Sequence, residues 1–392
     1  MLKTLDFFDL KNKAILLRVD INSPIINGNV VMNDRIKEHA KTIKELLRKK
    51  AKVTILAHQG RKGEEDYMES LEQHAKLLSR VVGKKITYVN DIYGAVERIK
   101  SIKPGEALLL KNVRSLDEET LKLTPEEHGK SKLVTTLAPL FDYFVQDAFS
   151  VCHRSQASVV GFAKVLPTII GRVLEKELIS LNKIEKLKEG TFILGGAKIE
   201  ECIILLKYIE KNKIDAKVLS SGVFSLACAS AKGYDVGNEN IVDENLVSEI
   251  KEFMKNVSIS IPKDFAIEDE NGKRKEIKIE ELPTNKKILD IGKETIKEYK
   301  DIIKKSKFIF LKGPAGKYED KKFRLGTKEI LSAVANSKAY SIIGGGNTLD
   351  AINLLKIPKS KFSHISLGGG ALLEYIAGEK LPGLEVIGFY KK

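Results

Sequence analysis

The chain has 392 residues, of which 43% are hydrophobic and 31% charged, a composition that supports two or three globular domains with ordinary apolar cores. It contains no apolar run long enough to span a bilayer and no signal-like start, and its three cysteines have neither disulfide nor zinc spacing. The net charge of +14 leaves a polyanion-binding protein open, although most lysines alternate with Glu and Ile on helical faces. We therefore expect a protein of the cytoplasm.

Short apolar runs alternate with amphipathic segments through the first half of the chain. A helix is predicted over residues 33–51, because Ile36, Ala40, Ile43 and Leu47 recur at helical spacing. Alternation of strands and helices is typical of parallel sheets covered on both faces. The buried strands are predicted at residues 14–19, 53–57, 86–89, 107–110 and 144–145.

A long charged helix predicted over residues 172–188 separates this series from a second one. Asn271-Gly272 between polar flanks predicts a hairpin tip within the second series. The predicted fold class is α/β, with two doubly wound parallel-sheet (Rossmann-like) domains, residues 1–170 and 189–378, joined by a hinge helix within residues 171–188. The second series of strands is predicted at residues 192–194, 218–219, 258–261, 288–290, 308–311, 340–343 and 364–367.

Glycines follow three strands of the second half. In open parallel sheets, ligands bind where strands end, and glycine lets a phosphate approach the backbone N–H groups of the next helix. One such junction is better explained as a tight turn, but three in one domain favour a phosphate site. Neither a Walker motif nor a GxGxxG motif is present. The junctions are Gly195-Gly196-Ala197-Lys198, Gly344-Gly345-Gly346-Asn347-Thr348 and Gly368-Gly369-Gly370.

A fourth junction, Gly313-Pro314, follows the predicted strand at 308–311. Glu319, a few residues on, is placed to accept hydrogen bonds from ribose hydroxyls, as acidic residues do in nucleotide folds. Taken alone, this segment is equally typical of a surface turn.

Basic and polar residues follow several strands of the first half. Arginine forms bidentate bonds to carboxylate and phosphate, so a shared position beyond the strand ends predicts a site for a small, highly anionic ligand. Each residue alone is equally typical of a surface cation, a turn or a packed histidine. The group consists of Arg18, Asp20, Asn22, Arg35, His58, Gln59, Gly60, Arg61, Arg114, His153 and Arg154.

With these motifs in this order, the chain resembles phosphoglycerate kinases of the archaeal type over nearly its whole length. The resemblance implies reversible transfer of the acyl phosphate of 1,3-bisphosphoglycerate to ADP, giving 3-phosphoglycerate and ATP, with Mg²⁺ as cofactor. The motifs that carry it are Arg18-Val19-Asp20-Ile21-Asn22-Ser23-Pro24, His58-Gln59-Gly60-Arg61, Asp147-Ala148-Phe149 through His153-Arg154, the glycine junctions, Gly313-Pro314 and Gly326-Thr327-Lys328.

The resemblance also implies a role for each residue. The group of the first half holds the glycerate substrate, and residues 379–392 return toward that domain. Arg35, Lys198 and the backbone near Gly369 and Gly370 are the catalytic candidates. The nucleotide-binding candidates are Gly195, Gly196, Lys198, Ser221, Gly222, Leu289, Gly313, Pro314, Glu319, Gly344, Gly345, Gly346, Asn347 and Thr348.

Two positions depart from the pattern of the family. Asn347 stands where an aspartate usually contacts the metal, which predicts weak Mg²⁺ binding mostly through nucleotide phosphates. Cys202 stands where a second lysine is usual. The expected protein is a monomer, with a dimer as the alternative, and binds neither nucleic acid nor membrane.

Two other hypotheses explain part of the sequence. A two-domain transferase with a nucleotide-sugar donor accounts for the domains and Glu319, but not for the arginines of the first half. A basic nucleic-acid-binding protein accounts for the net charge only.

Overall fold

The computed structural model describes residues 3–390 and divides into two compact units. The first unit contains the described residues up to Ile179 and those from Lys380 onward, and the second contains Ser180–Glu379. The division falls within helix α7 (Arg172–Glu185), in the segment where the sequence predicts a long helix. Strands and helices are numbered below in chain order.

The first unit is built on a six-stranded sheet in which every pair of neighbours is parallel, in the order β5-β6-β4-β1-β7-β8. The chain moves from β1 to one side and later returns to the other, so the carboxyl ends of β1 and β7 lie at the point where the strand order reverses. The strands are β1 (Ala14–Arg18), the short hairpin pair β2 (Ile25–Ile26) and β3 (Asn29–Val30), β4 (Lys52–Leu56), β5 (Ile86–Val89), β6 (Ala107–Leu110), β7 (Tyr143–Gln146) and β8 (Thr168–Ile170).

Helices cover both faces of this sheet. In α1 the predicted apolar residues are buried, and Asn33 caps the first turn by accepting a 3.0 Å hydrogen bond from the backbone N–H of Ile36. The helix ends earlier than predicted, because the chain turns at Lys50, whose φ is 60°. The helices are α1 (Asp34–Arg48), α2 (Glu72–Val82), α3 (Val96–Ser101), α4 (Pro125–His128), α5 (Lys132–Leu137), α6 (Phe162–Val165) and, after the second unit, α15 (Pro382–Glu385).

The residues from Lys380 onward pack on the first unit through α15. The backbone N–H of Gly383 donates to the carbonyl of Cys152 over 2.8 Å, and Leu381 and Leu384 are fully buried. A Cβ at Gly383 would lie 2.8 Å from the Cα of Cys152, so only glycine permits this close contact. Val386 packs on the apolar cluster around Val151.

The second unit has a six-stranded parallel sheet in the order β11-β10-β9-β15-β16-β17. Its strands are β9 (Glu189–Leu194), β10 (Asp215–Ser220), β11 (Ser258–Ser260), β15 (Phe308–Lys312), β16 (Tyr340–Gly344) and β17 (His364–Ile365), accompanied by β12 (Asp264–Glu268), β13 (Arg274–Lys278) and β14 (Ile288–Ile291). Its helices are α8 (Ile199–Lys211), α9 (Gly222–Ala231), α10 (Glu244–Phe253), α11 (Lys293–Lys305), α12 (Leu325–Asn336), α13 (Gly346–Leu354) and α14 (Gly370–Ile376).

The strand predicted at 288–290 does not join the parallel sheet. As β14 it pairs antiparallel with β12, which also pairs with β13 in a separate three-stranded sheet. The tip predicted at Asn271-Gly272 is confirmed, since it connects β12 to β13. The α/β fold with two doubly wound parallel sheets is also confirmed. Within residues 3–390, no helix has both the length and the apolar character that crossing a membrane requires.

Candidate active site

Asp20 is the centre of the polar group at the carboxyl end of β1. It is 1% exposed, forms an ion pair with Arg35 on the first turn of α1, and accepts hydrogen bonds from the Ser150 hydroxyl and, over 2.9 Å, from the backbone N–H of Asn22. Burial alone would raise the pKa of Asp20, but the charge of Arg35 and these bonds outweigh burial and lower it. Asp20 is therefore ionised and fixes the position of Arg35.

Arg18 lies behind this group, in the interior of the first unit. Its guanidinium is fully buried, and its Nε donates to the Ser158 hydroxyl over 2.9 Å while another nitrogen lies 3.2 Å from His58 Nδ1. Ser158 also bonds the buried carboxyl of Glu119, whose pKa is raised by burial. In the structure Arg18 contacts His58, and its predicted role in substrate binding stays a prediction.

Gln59 has a supporting role of the same kind. Its side chain is fully buried, and its amide donates to the carbonyls of Ser23 (3.0 Å) and Asp66 (2.9 Å) while accepting from the backbone of Ser23. The predicted contact of Gln59 with substrate stays a prediction. Asn22 accepts from the backbone N–H of Gly60 over 2.7 Å, so the loops after β1 and β4 are tied together.

His74 on α2 completes this support, and it makes the first unit sensitive to acid. Its Nε2 lies 3.0 Å from Gln59 Oε1, it is fully buried, and burial lowers its pKa to about 4. Between that value and the 6.5 of an unfolded chain, the unfolded state binds more protons, so stability falls as the pH drops through this window. Protonation of the unfolded chain removes roughly 2 kcal/mol by pH 5.

The variant His74→Gln keeps a donor for Gln59 but does not titrate. We expect the melting temperature of the first unit to fall less between pH 7 and pH 5 in His74→Gln than in the wild type, by roughly 4–8 °C. Circular dichroism melts of both proteins at several pH values measure this difference. Melting curves that shift in parallel for both proteins would contradict the assignment.

Four further cationic candidates lie close enough together to influence one another. Burial, together with the neighbouring charges of Arg154, Arg18 and Arg61, lowers the pKa of Arg114 to about 10. Burial and the charge of Arg154 lower the pKa of His153 to about 4, so this imidazole is neutral at pH 7. Positive charge here therefore comes from arginines, which do not titrate in the physiological range. An anionic ligand would relieve their mutual repulsion.

In the second unit, the strand-end glycines fall into two classes. At Gly195, Gly222 and Gly313 an added Cβ would lie within 2.7 Å of atoms in a neighbouring strand-end loop, so these glycines allow the loops to pack together. At Gly346 and Gly369 an added Cβ would meet no atom within 4 Å, so the space beside them is open. Gly346 and Gly369 therefore have free space of the kind that a phosphate requires.

Two buried polar residues of the nucleotide set act behind these loops. The hydroxyl of Thr348 accepts a 2.8 Å hydrogen bond from the backbone N–H of Gly313, and Ser221 is 1% exposed with its hydroxyl 3.3 Å from the carbonyl of Leu194. Both residues hold loop backbones in place. Thr348 also lines the glycine-lined cavity, and the predicted contact of both residues with nucleotide stays a prediction.

Two adjoining cavities of about 290 Å³ each open on these loops. One is lined mainly by apolar groups and by Glu319, the other by glycines, Lys198 and Lys312. They share Gly196, Ala197, Pro314 and Asn347 as lining residues, so together they form one continuous cleft. The apolar cavity is lined by Val223, Phe265, Ile288, Leu289, Pro314 and Tyr318, among others. The glycine-lined cavity is lined by Gly195, Gly313, Gly344, Gly345, Gly346, Gly369 and Gly370, among others.

Thr327 and Asp290 hold the loop that carries Glu319. The Thr327 hydroxyl accepts from the backbone N–H groups of Ala315 (3.0 Å) and Gly316 (3.2 Å). Asp290 accepts 2.7 Å and 2.8 Å hydrogen bonds from Arg274 and from the backbone of Gly326, and burial raises its pKa to about 6. The motif Gly326-Thr327-Lys328 thus supports the apolar cavity from behind.

Several residues that the sequence reasoning missed belong to the site. Ser150 lies inside the motif at residues 147–154, but a single serine in such a segment does not by itself indicate a functional role. Glu119 and Ser158 reach Arg18 from distant parts of the chain. Lys312 and Glu201 form an ion pair at the glycine-lined cavity, and only the position of Lys312 at a strand end hinted at this.

Comparison with known proteins identifies the family. The family model described as "Phosphoglycerate kinase" matches residues 5–379. "Phosphoglycerate kinase 1" of Methanosarcina acetivorans is 42% identical over 99% of this chain and 96% of its own length, and "Phosphoglycerate kinase" of Archaeoglobus fulgidus is 43% identical over 99% and 97%. The chain belongs to the phosphoglycerate kinase family.

The crystal structure of phosphoglycerate kinase from Pyrococcus horikoshii OT3 has the same fold, with a TM-score of 0.88 and 36% identity over 99% of this chain and 98% of that one. The chain is accordingly a phosphotransferase with a carboxyl group as acceptor. Its reaction is the glycolytic transfer of the acyl phosphate of 1,3-bisphosphoglycerate to ADP, which runs reversibly to 3-phosphoglycerate and ATP. The nucleotide-sugar transferase and nucleic-acid-binding hypotheses are therefore wrong.

Proposed function

We propose that the first unit binds the phosphoglycerate and the second unit binds the nucleotide. The observation that carries this division is the cluster of arginines around Asp20 and Arg114 in the first unit, where the charges of Arg154, Arg18 and Arg61 lower the pKa of Arg114. A phosphoglycerate carries a carboxylate and a phosphate, and arginine binds both groups. Arg35, Arg61, Arg114 and Arg154 are the proposed direct contacts, with Asn22, His58, Gly60 and His153 beside them.

The continuous cleft of the second unit suits a nucleoside with a phosphate chain. The apolar cavity takes the base, and Glu319, an exposed side chain at its edge, accepts hydrogen bonds from the ribose. The phosphates then extend toward the open space at Gly346 and Gly369, where backbone N–H groups at helix starts and Lys198 favour negative charge.

The donor set near the phosphates fits a magnesium ion that arrives on the nucleotide. Residues 3–390 contain no group of three His, Cys, Asp or Glu side chains arranged to hold a metal. Asn347, exposed where the two cavities meet, offers one neutral amide oxygen. Mg²⁺ usually keeps several waters and takes its remaining ligands from substrate phosphates, so one protein oxygen is sufficient. The ion would neutralise charge on the phosphate chain.

The reaction needs little general acid or general base catalysis. The attacking ADP oxygen is already ionised and the leaving group is a carboxylate, so the residues of the chain act by positioning and by stabilising the phosphoryl group in flight. Arg35 and Lys198 are the proposed stabilising cations. Because each unit holds one substrate, we propose that closure about α7 brings them together in line and excludes water. We also propose that the protein works as a monomer in the cytoplasm.

A crossed binding experiment tests the division of substrates. Arg61, whose side chain is 59% exposed, is replaced by alanine in the first unit, and Glu319 by alanine in the second. Calorimetry with 3-phosphoglycerate and with ADP is run on the wild type and on each variant. Arg61→Ala is expected to weaken only 3-phosphoglycerate binding, and loss of ADP affinity in that variant would refute the division.

Glu319→Ala is expected to weaken ADP binding about 5- to 30-fold, since a charge-assisted hydrogen bond to ribose is lost. The KM for nucleotide should rise while kcat stays within about twofold, because the ribose contact is the same in ground and transition states. Asp320→Ala at the neighbouring position is the control. An unchanged nucleotide KM in Glu319→Ala would remove Glu319 from the site.

A further inference from the structure

Lys312 has an environment that no other lysine in the described part of the chain shares. Of the lysines in residues 3–390, it alone is buried, with 7% of its side chain exposed. It ends β15, a central strand of the second unit's sheet, and its carbonyl accepts a 2.8 Å hydrogen bond from the backbone N–H of Gly195. Burying an ammonium group costs free energy, so a buried lysine requires a partner that compensates its charge.

The partner of Lys312 is a carboxylate that it shares. Its ammonium lies 2.5 Å from one oxygen of Glu201 on α8, and the other oxygen lies 3.4 Å from the ammonium of Lys198. Burial alone would raise the pKa of Glu201, but the two lysines outweigh burial and lower it. Two ammonium groups and one carboxylate therefore leave one positive charge uncompensated.

This excess charge faces the glycine-lined cavity. Lys198, Glu201 and Lys312 all line it, together with the glycines that start α13 and α14. Cys202, next to Glu201, adds no charge, since burial raises the pKa of its thiol to about 12. An ammonium has three N–H donors, so Lys312 can keep Glu201 and still donate to a further acceptor in the cavity.

We propose that Lys312 is a second lysine that binds the phosphate chain of the nucleotide, and that Glu201 is the internal carboxylate that positions Lys312 and Lys198 until the nucleotide arrives. The inference rests on the proposed placement of the nucleotide in the second unit. A phosphate oxygen in the cavity takes hydrogen bonds from both lysines, and it competes with Glu201 for them. Glu201 thereby compensates a buried charge when the cavity holds no anion, at the expense of affinity for phosphate.

The test compares Lys312→Met, Lys312→Arg and Glu201→Gln with the wild type, using ADP and adenosine as probes in calorimetry. Lys312→Met keeps the length of the side chain and removes the charge, so ADP binding should weaken about 10- to 100-fold while adenosine binding stays within about twofold. Glu201→Gln removes the competing carboxylate and should tighten ADP binding about 3- to 10-fold. Lys312→Arg should retain most of the affinity for ADP.

The outcomes separate this inference from the proposed function. A wild-type protein that binds neither ADP nor adenosine refutes the nucleotide site itself. A wild type that binds ADP, with Lys312→Met binding it equally well, refutes only the role of Lys312. If Lys312→Met does not fold, Glu201→Gln decides, because a purely structural ion pair predicts unchanged or weaker ADP binding in that variant.

Discussion

Arg35→Ala is expected to lower kcat about 10²- to 10³-fold, the usual cost of removing one donor that stabilises charge in a transition state. Asp20 orients Arg35 by an ion pair. The Arg35 side chain is 31% exposed, so it is still accessible to a ligand. The coupled assay with 3-phosphoglycerate and ATP measures this loss. The KM for ATP should stay within about twofold, because Arg35 belongs to the first unit.

The same change leaves the carboxylate of Asp20 buried without its main counter-charge. We therefore expect the first unit of Arg35→Ala to lose about 1–3 kcal/mol of unfolding free energy, which thermal melts detect. Arg48→Ala at the exposed far end of α1 is the matched control and should change neither quantity. Full turnover in folded Arg35→Ala would remove Arg35 from the catalytic group.

Lys198→Ala is expected to lower kcat by a similar factor, about 10²- to 10³-fold. Lys198 precedes the first turn of α8 and its side chain is 75% exposed, so its ammonium is free to follow a phosphoryl group in the cleft. Its ion pair with Glu201, at 3.4 Å and with the lysine largely exposed, contributes little to stability. The melting temperature should therefore stay close to that of the wild type, in contrast with Arg35→Ala.

Lys211→Ala in the last turn of α8 is the matched control for Lys198→Ala, since it removes an exposed lysine from the same helix. Pre-steady-state kinetics separate the chemical step from product release. A slower chemical step with an ADP dissociation constant changed less than about tenfold supports stabilisation of the transition state. If Lys198→Ala weakens ADP binding and leaves the rate of the chemical step unchanged, Lys198 contributes to ground-state binding only.

The sequence by itself determined the fold class, most strand positions and the family. Apolar runs and helical spacings, such as those of α1, reflect local burial that any packed α/β domain requires. Glycines and arginines just beyond strand ends predicted a binding site at each sheet, because parallel strands bring those ends to one edge of a sheet. The order of the motifs identified the family before any contact was known.

Only the tertiary structure decided which of these residues are buried and which other residues they contact. Arg18 meets Ser158, 140 positions away, and Lys312 meets Glu201, so segments far apart in the chain set the burial and charge of both. Tertiary packing also places β14 in a small antiparallel sheet and not in the parallel sheet that the sequence predicted. Residue type and position relative to a strand are local properties, but exposure, pairing and pKa depend on neighbours that the chain supplies from a distance.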